Sequence, residues 1–121
     1  MTVAESAPII QLGSSLLVSL QGDLDDNAVL RLENEITGAV ARTRATGVVI
    51  EVGGLAVVDS FIARIIARIA GMVRLLGAKA VVVGIQPAVA ITLIELGVGM
   101  RHVHTALNAA EGVALLGRLR D

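Results

Sequence analysis

The sequence predicts an α/β fold, a mostly parallel sheet opened by an antiparallel hairpin, with elements in the order β-β-α-β-α-β-α-β-α. Three observations carry this expectation. Short aliphatic runs alternate with longer segments whose apolar residues recur at helical spacing. The length of 121 residues suits one domain with one core, so residues 1–121 are expected to form a single unit, with 1–7 as a flexible N-terminal tail. Hydrophobic residues make up 55 % and charged residues 17 %, which excludes a disordered chain. The apolar set is aliphatic, with Phe61 the only aromatic, and Val, Ile, Leu and Ala suit strands and helices packed in layers.

Pro8–Leu12 and Ser15–Gln21 read as two strands joined at Gly13-Ser14, the opening hairpin. Asp25–Arg44 has helical period, with Val29, Leu32, Ile36 and Val40 along one stripe and Gly47 after its end. Val48–Val52 is an apolar run long enough for a buried strand. Ser60–Leu76 is the clearest helix, and Ile62, Ile65, Ile69, Met72 and Leu76 suggest one buried face. Gly77 stops it before a strand at Ala80–Ile85. Pro87 suits the first turn of a short helix reaching about Leu96. A brief strand is expected at Arg101–His104, and Asn108 caps a last helix running towards Leu119.

Composition narrows the function classes. The formal net charge is −1, from 10 basic and 11 acidic side chains, with no basic run and no aromatic stacking platform. Both facts argue against nucleic acid as a partner. The absence of cysteine removes disulfides, thiolate metal sites and cysteine nucleophiles together, and fits a reducing cytoplasm. Ala80–Ile94 is the most membrane-like segment, but Gly84, Gln86 and Pro87 interrupt it and it is too short to span a bilayer. No signal peptide is legible at Met1–Ala7, so a soluble, cytoplasmic protein is expected. The apolar content is high for so small a domain, a hint that some of it serves protein–protein contact.

Enzyme motifs are missing. There is no G-x-x-x-x-G-K-[ST] loop and no G-x-S-x-G elbow, and Gly97-Val98-Gly99 follows a helix where a dinucleotide fingerprint needs a strand. No cofactor is called for. His102 and His104 share a strand face and, with Glu95, are candidate metal ligands; a polar edge strand is the competing reading, and no metal site is expected. Asp23, Asp25 and Asp26 are candidates for contacting a cation or a nucleotide ribose, against the commoner role of carboxylates at a helix start.

The Asp59-Ser60 step is the most informative. One of the two caps the long helix. A serine there sits at a loop edge, where a phosphate would meet unpaired N–H groups and a favourable dipole. At roughly 100° per residue, Ser60, Arg64 and Arg68 fall within an arc of about 80°, opposite Ile62, Ile66 and Ile69. Two guanidiniums on that ridge suit a phosphate or an acidic partner surface, against the plain reading of a solvated helix face.

These residues resemble a known family. Gly22-Asp23-Leu24-Asp25 before the first helix and Asp59-Ser60 before the second are similar to the STAS fold of anti-sigma-factor antagonists, in which the serine after the aspartate is the phosphoacceptor. Many antagonists read D-S-S-G-L there, whereas Phe61-Ile62 follows Ser60 in this chain. That form, with Leu24-Asp25-Asp26 and the block from Gly84 to Gly97, resembles the RsbS-type branch of stressosome scaffolds over nearly the whole length. The resemblance implies a non-enzymatic STAS domain without a sensor module, phosphorylated at Ser60; the helical projection adds Arg64 and Arg68, with Asp59, as the candidates for neighbouring the phosphate or the partner. It implies RsbR-type STAS paralogues in a homo- and hetero-oligomeric cytoplasmic particle, capture of an RsbT-type serine kinase, and reset by an RsbX-type phosphatase. A free antagonist that binds an anti-sigma kinase directly is the alternative; a small-ligand or nucleotide-binding module is another.

Overall fold

A computed structural model describes residues 9–55, 58–95 and 103–119. The expected tail, and the strand residues Arg101 and His102, lie outside these. The elements are β1 (Ile9–Leu12), β2 (Ser15–Gly22), α1 (Asp26–Thr43), β3 (Gly47–Leu55), α2 (Ser60–Leu75), β4 (Lys79–Val83), α3 (Pro87–Glu95), β5 (His104–Ala106) and α4 (Ala109–Leu119). The sheet runs β1-β2-β3-β4-β5. Only β1 is antiparallel to its neighbour; β2 through β5 pair in parallel. The order and the mixed sheet are those the sequence predicts.

Alternation along the strands divides the core into two layers. Leu16, Val18 and Leu20 of β2, Val48, Ile50 and Val52 of β3 and Ala80 and Val82 of β4 meet α1 and α2 on one face. Val49, Val81 and Val83 turn the other way, against Leu116 of α4. α4 comes close because it carries Gly112, where a Cβ would lie 2.9 Å from a Val83 methyl. On α1 the buried stripe is the expected one, Val29, Leu32, Ile36 and Val40, extended by Ala39 and by one carboxylate, Glu33.

Four expectations are corrected. The buried face of α2 is Ile62, Ala63, Ile66, Ile69, Ala70 and Val73, while Ile65 and Met72 are half-buried and Leu76 is exposed. The two stripes share Ile62 and Ile69; the helix turns its small residues Ala63 and Ala70 inward, so its flank is apolar too. β3 runs on through Gly53-Gly54-Leu55, past the expected end at Val52, because a register shift opposite Ser19–Gln21 lets it stay paired with β2. β4 stops at Val83 because Gly84 takes a left-handed conformation, φ 81°. β5 begins at His104, later than expected.

α3 buries Leu93 and leaves Ile91 and Ile94 exposed. Among the described residues no helix is long and apolar enough to cross a membrane.

Candidate functional site

The N-terminus of α2 is built by Asp59. Its backbone is extended, with φ −107° and ψ −171°, and its Oδ1 accepts the backbone N–H of Ile62 at 3.0 Å. Asp59 is therefore the cap and Ser60 the first helical residue, half-buried at the rim. The cap engages one of the free N–H groups of the first turn, and the dipole's positive end remains under the serine hydroxyl. Asp59→Ala is expected to lower stability by about 1 kcal/mol, and Asp59→Asn by less. Urea unfolding midpoints of the two variants check this.

A brace set back from the cap holds the strand that leads to it. Glu51, on β3, turns its carboxylate onto the shifted backbone, and Oε1 accepts the Gly53 N–H at 3.1 Å. Gly84, at the end of β4, packs so closely that a Cβ there would fall on Glu51 Oε2. Between these strand ends and the helices lies a crevice of about 80 Å³, lined by Val52, Gly53, Leu55, Val58, Gly84, Gln86 and Val89. Val58 thus ties the segment before Asp59-Ser60 to the ends of β3 and β4.

The two arginines of the ridge differ. Arg64 is exposed and has no ion-pair partner among the described residues. Arg68 is tied to α1: its Nε lies 2.8 Å from Glu33 Oε2, with the Arg68 side chain 65 % exposed and that of Glu33 only 7 %. Sequence reading treats both arginines alike and passes over Glu33. The signal was present, because Glu33 falls on the stripe of Val29, Leu32 and Ile36, where an acid needs a reason.

The other candidates separate from this site. Asp25 caps α1, its Oδ1 accepting from Ala28 N at 2.8 Å, and Asp26 sits in the first turn; Asp23 is exposed just before them. Helix capping accounts for Asp25. His104 is exposed at the start of β5, Glu95 ends α3, and His102 lies outside the described residues. Among the described residues no group of three or more His, Asp or Glu side chains is placed to hold a metal ion.

The STAS-domain family model matches residues 6–111. The chain belongs to the STAS family. It is 32 % identical to the RsbT co-antagonist protein RsbRA of Bacillus subtilis over 117 residues, 96 % of this chain and 43 % of that protein. It is also 32 % identical to RsbRB of the same organism over 89 % of this chain and 39 % of that one. The chain thus spans about two-fifths of the length of these relatives. Among solved structures, a serine-to-glutamate variant of RsbS from Moorella thermoacetica superposes with a TM-score of 0.81 and 34 % identity, over 93 % of this chain and 96 % of that one. A chain from the molecular architecture of the stressosome, described as a signal integration and transduction hub, matches with a TM-score of 0.78 and 34 % identity, covering 93 % and 97 %. The unphosphorylated anti-sigma-factor antagonist SpoIIAA shares the fold, with a TM-score of 0.66 at 15 % identity, over 94 % of this chain and 97 % of that one.

Proposed function

We propose that this STAS domain is a non-enzymatic stressosome scaffold that captures an RsbT-type serine kinase and lets it go when Ser60 is phosphorylated. The observation that carries the reading is the placement of Ser60 as the first residue of α2, behind an Asp59 cap, in a chain 34 % identical to RsbS. A hydroxyl there is half-buried at the rim, on a helix end that accommodates a phosphate without unfolding. The similarity to RsbS and to RsbR co-antagonists supports co-assembly with RsbR-type paralogues, a cytoplasmic location, and reset by an RsbX-type phosphatase.

The test has two parts. Incubation with the cognate kinase and ATP, followed by intact-mass measurement and peptide mapping, is expected to add one phosphate, on Ser60. Mixing with an RsbR-type paralogue is expected to give particles far larger than a dimer by light scattering. Modification elsewhere, or none, removes the switch. A chain that stays small while binding an anti-sigma kinase would make it a free antagonist.

A further inference from the structure

From Ile9 to Gly22 the chain carries no Asp, Glu, Lys or Arg, although such residues make up 17 % of it. This stretch is the β1–β2 hairpin, and β1 is an outer edge of the sheet, paired with β2 alone. An edge strand offers a row of unpaired N–H and C=O groups, which proteins commonly blunt with charge, proline or a bulge. The opposite edge is blunted by polarity: in β5, His104 and Thr105 are exposed, and α4 packs beside the strand. Within Ile9–Leu12 there is no charge and no proline, and the register with β2 is regular.

The side chains of this edge are apolar on both faces. Ile9 packs against the core layer beneath α1 and α2. Ile10 pairs with Leu17 and Leu12 with Ser15, which puts both on the other face, where Leu17 joins the layer of α4. α4 packs mainly over β3, β4 and β5, and it leaves Ile10 53 % and Leu12 41 % exposed. An apolar strip therefore runs from the second core layer out to an open edge.

We infer that β1 is the two-fold interface of a homodimer, pairing antiparallel with β1 of a second copy so that the two sheets join. Symmetry selects a second copy over a foreign strand. A two-fold axis sets each residue beside or near its own copy, where a charge would repel itself, and Ile9–Leu12 holds none. The free donors and acceptors of one edge meet the same row reversed, as antiparallel pairing requires. The axis runs perpendicular to the sheet, so both apolar strips stay on one face. Ile10 and Leu12 of one copy then meet those of the other, and the strips leave water together. This interface lies beyond the kinase switch and needs neither Ser60 nor a paralogue.

Sedimentation velocity across the micromolar range should show the wild-type chain in a monomer–dimer equilibrium. Ile10→Lys and Ile10→Glu change an exposed side chain, so each should melt within a few degrees of wild type. Each should nevertheless weaken dimerisation about tenfold or more. Mixed together, the two should dimerise again, because opposite charges now face across the axis. The chain has no cysteine, so an introduced thiol is unique. Strand overlap is greatest with the axis at Ile10 or Gln11, so Ile10→Cys or Gln11→Cys should form a disulfide with its own copy on oxidation. Thr105→Cys, on the other edge, should stay single. A wild-type chain that remains monomeric, or a dimer that Ile10→Lys leaves intact, would overturn the inference. So would an edge that cross-links only in a mixture with an RsbR-type paralogue. Each of these results leaves the Ser60 switch standing.

Discussion

Phosphorylation of Ser60 should weaken kinase binding by roughly a hundred- to a thousandfold, or about 3 to 4 kcal/mol, and Ser60→Asp should reproduce a smaller part of that loss. A phosphate brings about −1.5 to −2 charges where aspartate brings one, which sets the order of the two effects. Under the proposed switch, phosphorylation should leave the helix folded. Ser60 is the first residue of α2, where the free N–H groups and the dipole favour an anion. The penalty should therefore fall on the complex, in which a new anion is desolvated beside Asp59 and against the partner surface. Ser60→Ala should hold the kinase as wild type does and ignore ATP. Arg64→Ala should weaken binding of the unmodified chain and shrink the ratio between unmodified and phosphorylated affinities. A phosphate that captures Arg64 takes it from the partner, and the variant has nothing left to lose. Titration of the kinase against these forms, with circular dichroism to confirm unchanged helix content, gives the comparison. Equal affinity for unmodified and phosphorylated chains would end the switch model.

What could be read from the sequence was local. The stripe on α1, the Pro87 start of α3 and the cap at Asn108 each depend on residues within a turn of one another, and each is found as expected. The sequence leaves the α2 cap between Asp59 and Ser60 and the α1 start among three aspartates, and the structure selects Asp59 and Asp25. The buried face of α2 was misread because Ile65 and Met72 are as apolar as Ile66 and Val73, so periodicity alone does not choose between stripes sharing Ile62 and Ile69. The continuation of β3 through Gly53-Gly54 was hidden because paired glycines ordinarily mark a turn. Here a strand shift, with Glu51 accepting the Gly53 N–H, keeps them in the sheet. Long-range partnership was the least legible. Nothing near Arg68 in sequence distinguishes it from Arg64, and only the packing of α1 on α2 brings Glu33 beneath one of them.

Gly84→Val should be among the most damaging single substitutions outside the apolar core, at about 3 to 5 kcal/mol. Two independent penalties meet at this position. Gly84 sits at φ 81°, where a β-branched residue is strained by roughly 1 to 3 kcal/mol. Its new Cβ would also take the place of Glu51 Oε2, and a carboxylate pushed aside no longer serves the Gly53 N–H, which costs about 1 to 3 kcal/mol more if that group stays dry. Against a total stability of about 5 to 15 kcal/mol, the loss should lower the melting temperature by roughly ten to twenty degrees. The two terms separate in a cycle. Gly84→Ala in a Glu51→Ala background has no carboxylate to displace, so it should show the backbone term alone and a smaller loss than Gly84→Ala in the wild type. The effect should reach the switch as well. Gly84 shares the crevice with Val58, two residues before Ser60, so kinase-catalysed phosphorylation of the still-folded Gly84→Ala chain should be slower than that of wild type. A Gly84→Val chain that melts with the wild type would mean that Glu51 moves aside freely, and that the bend after β4 does not set the position of the phosphoacceptor.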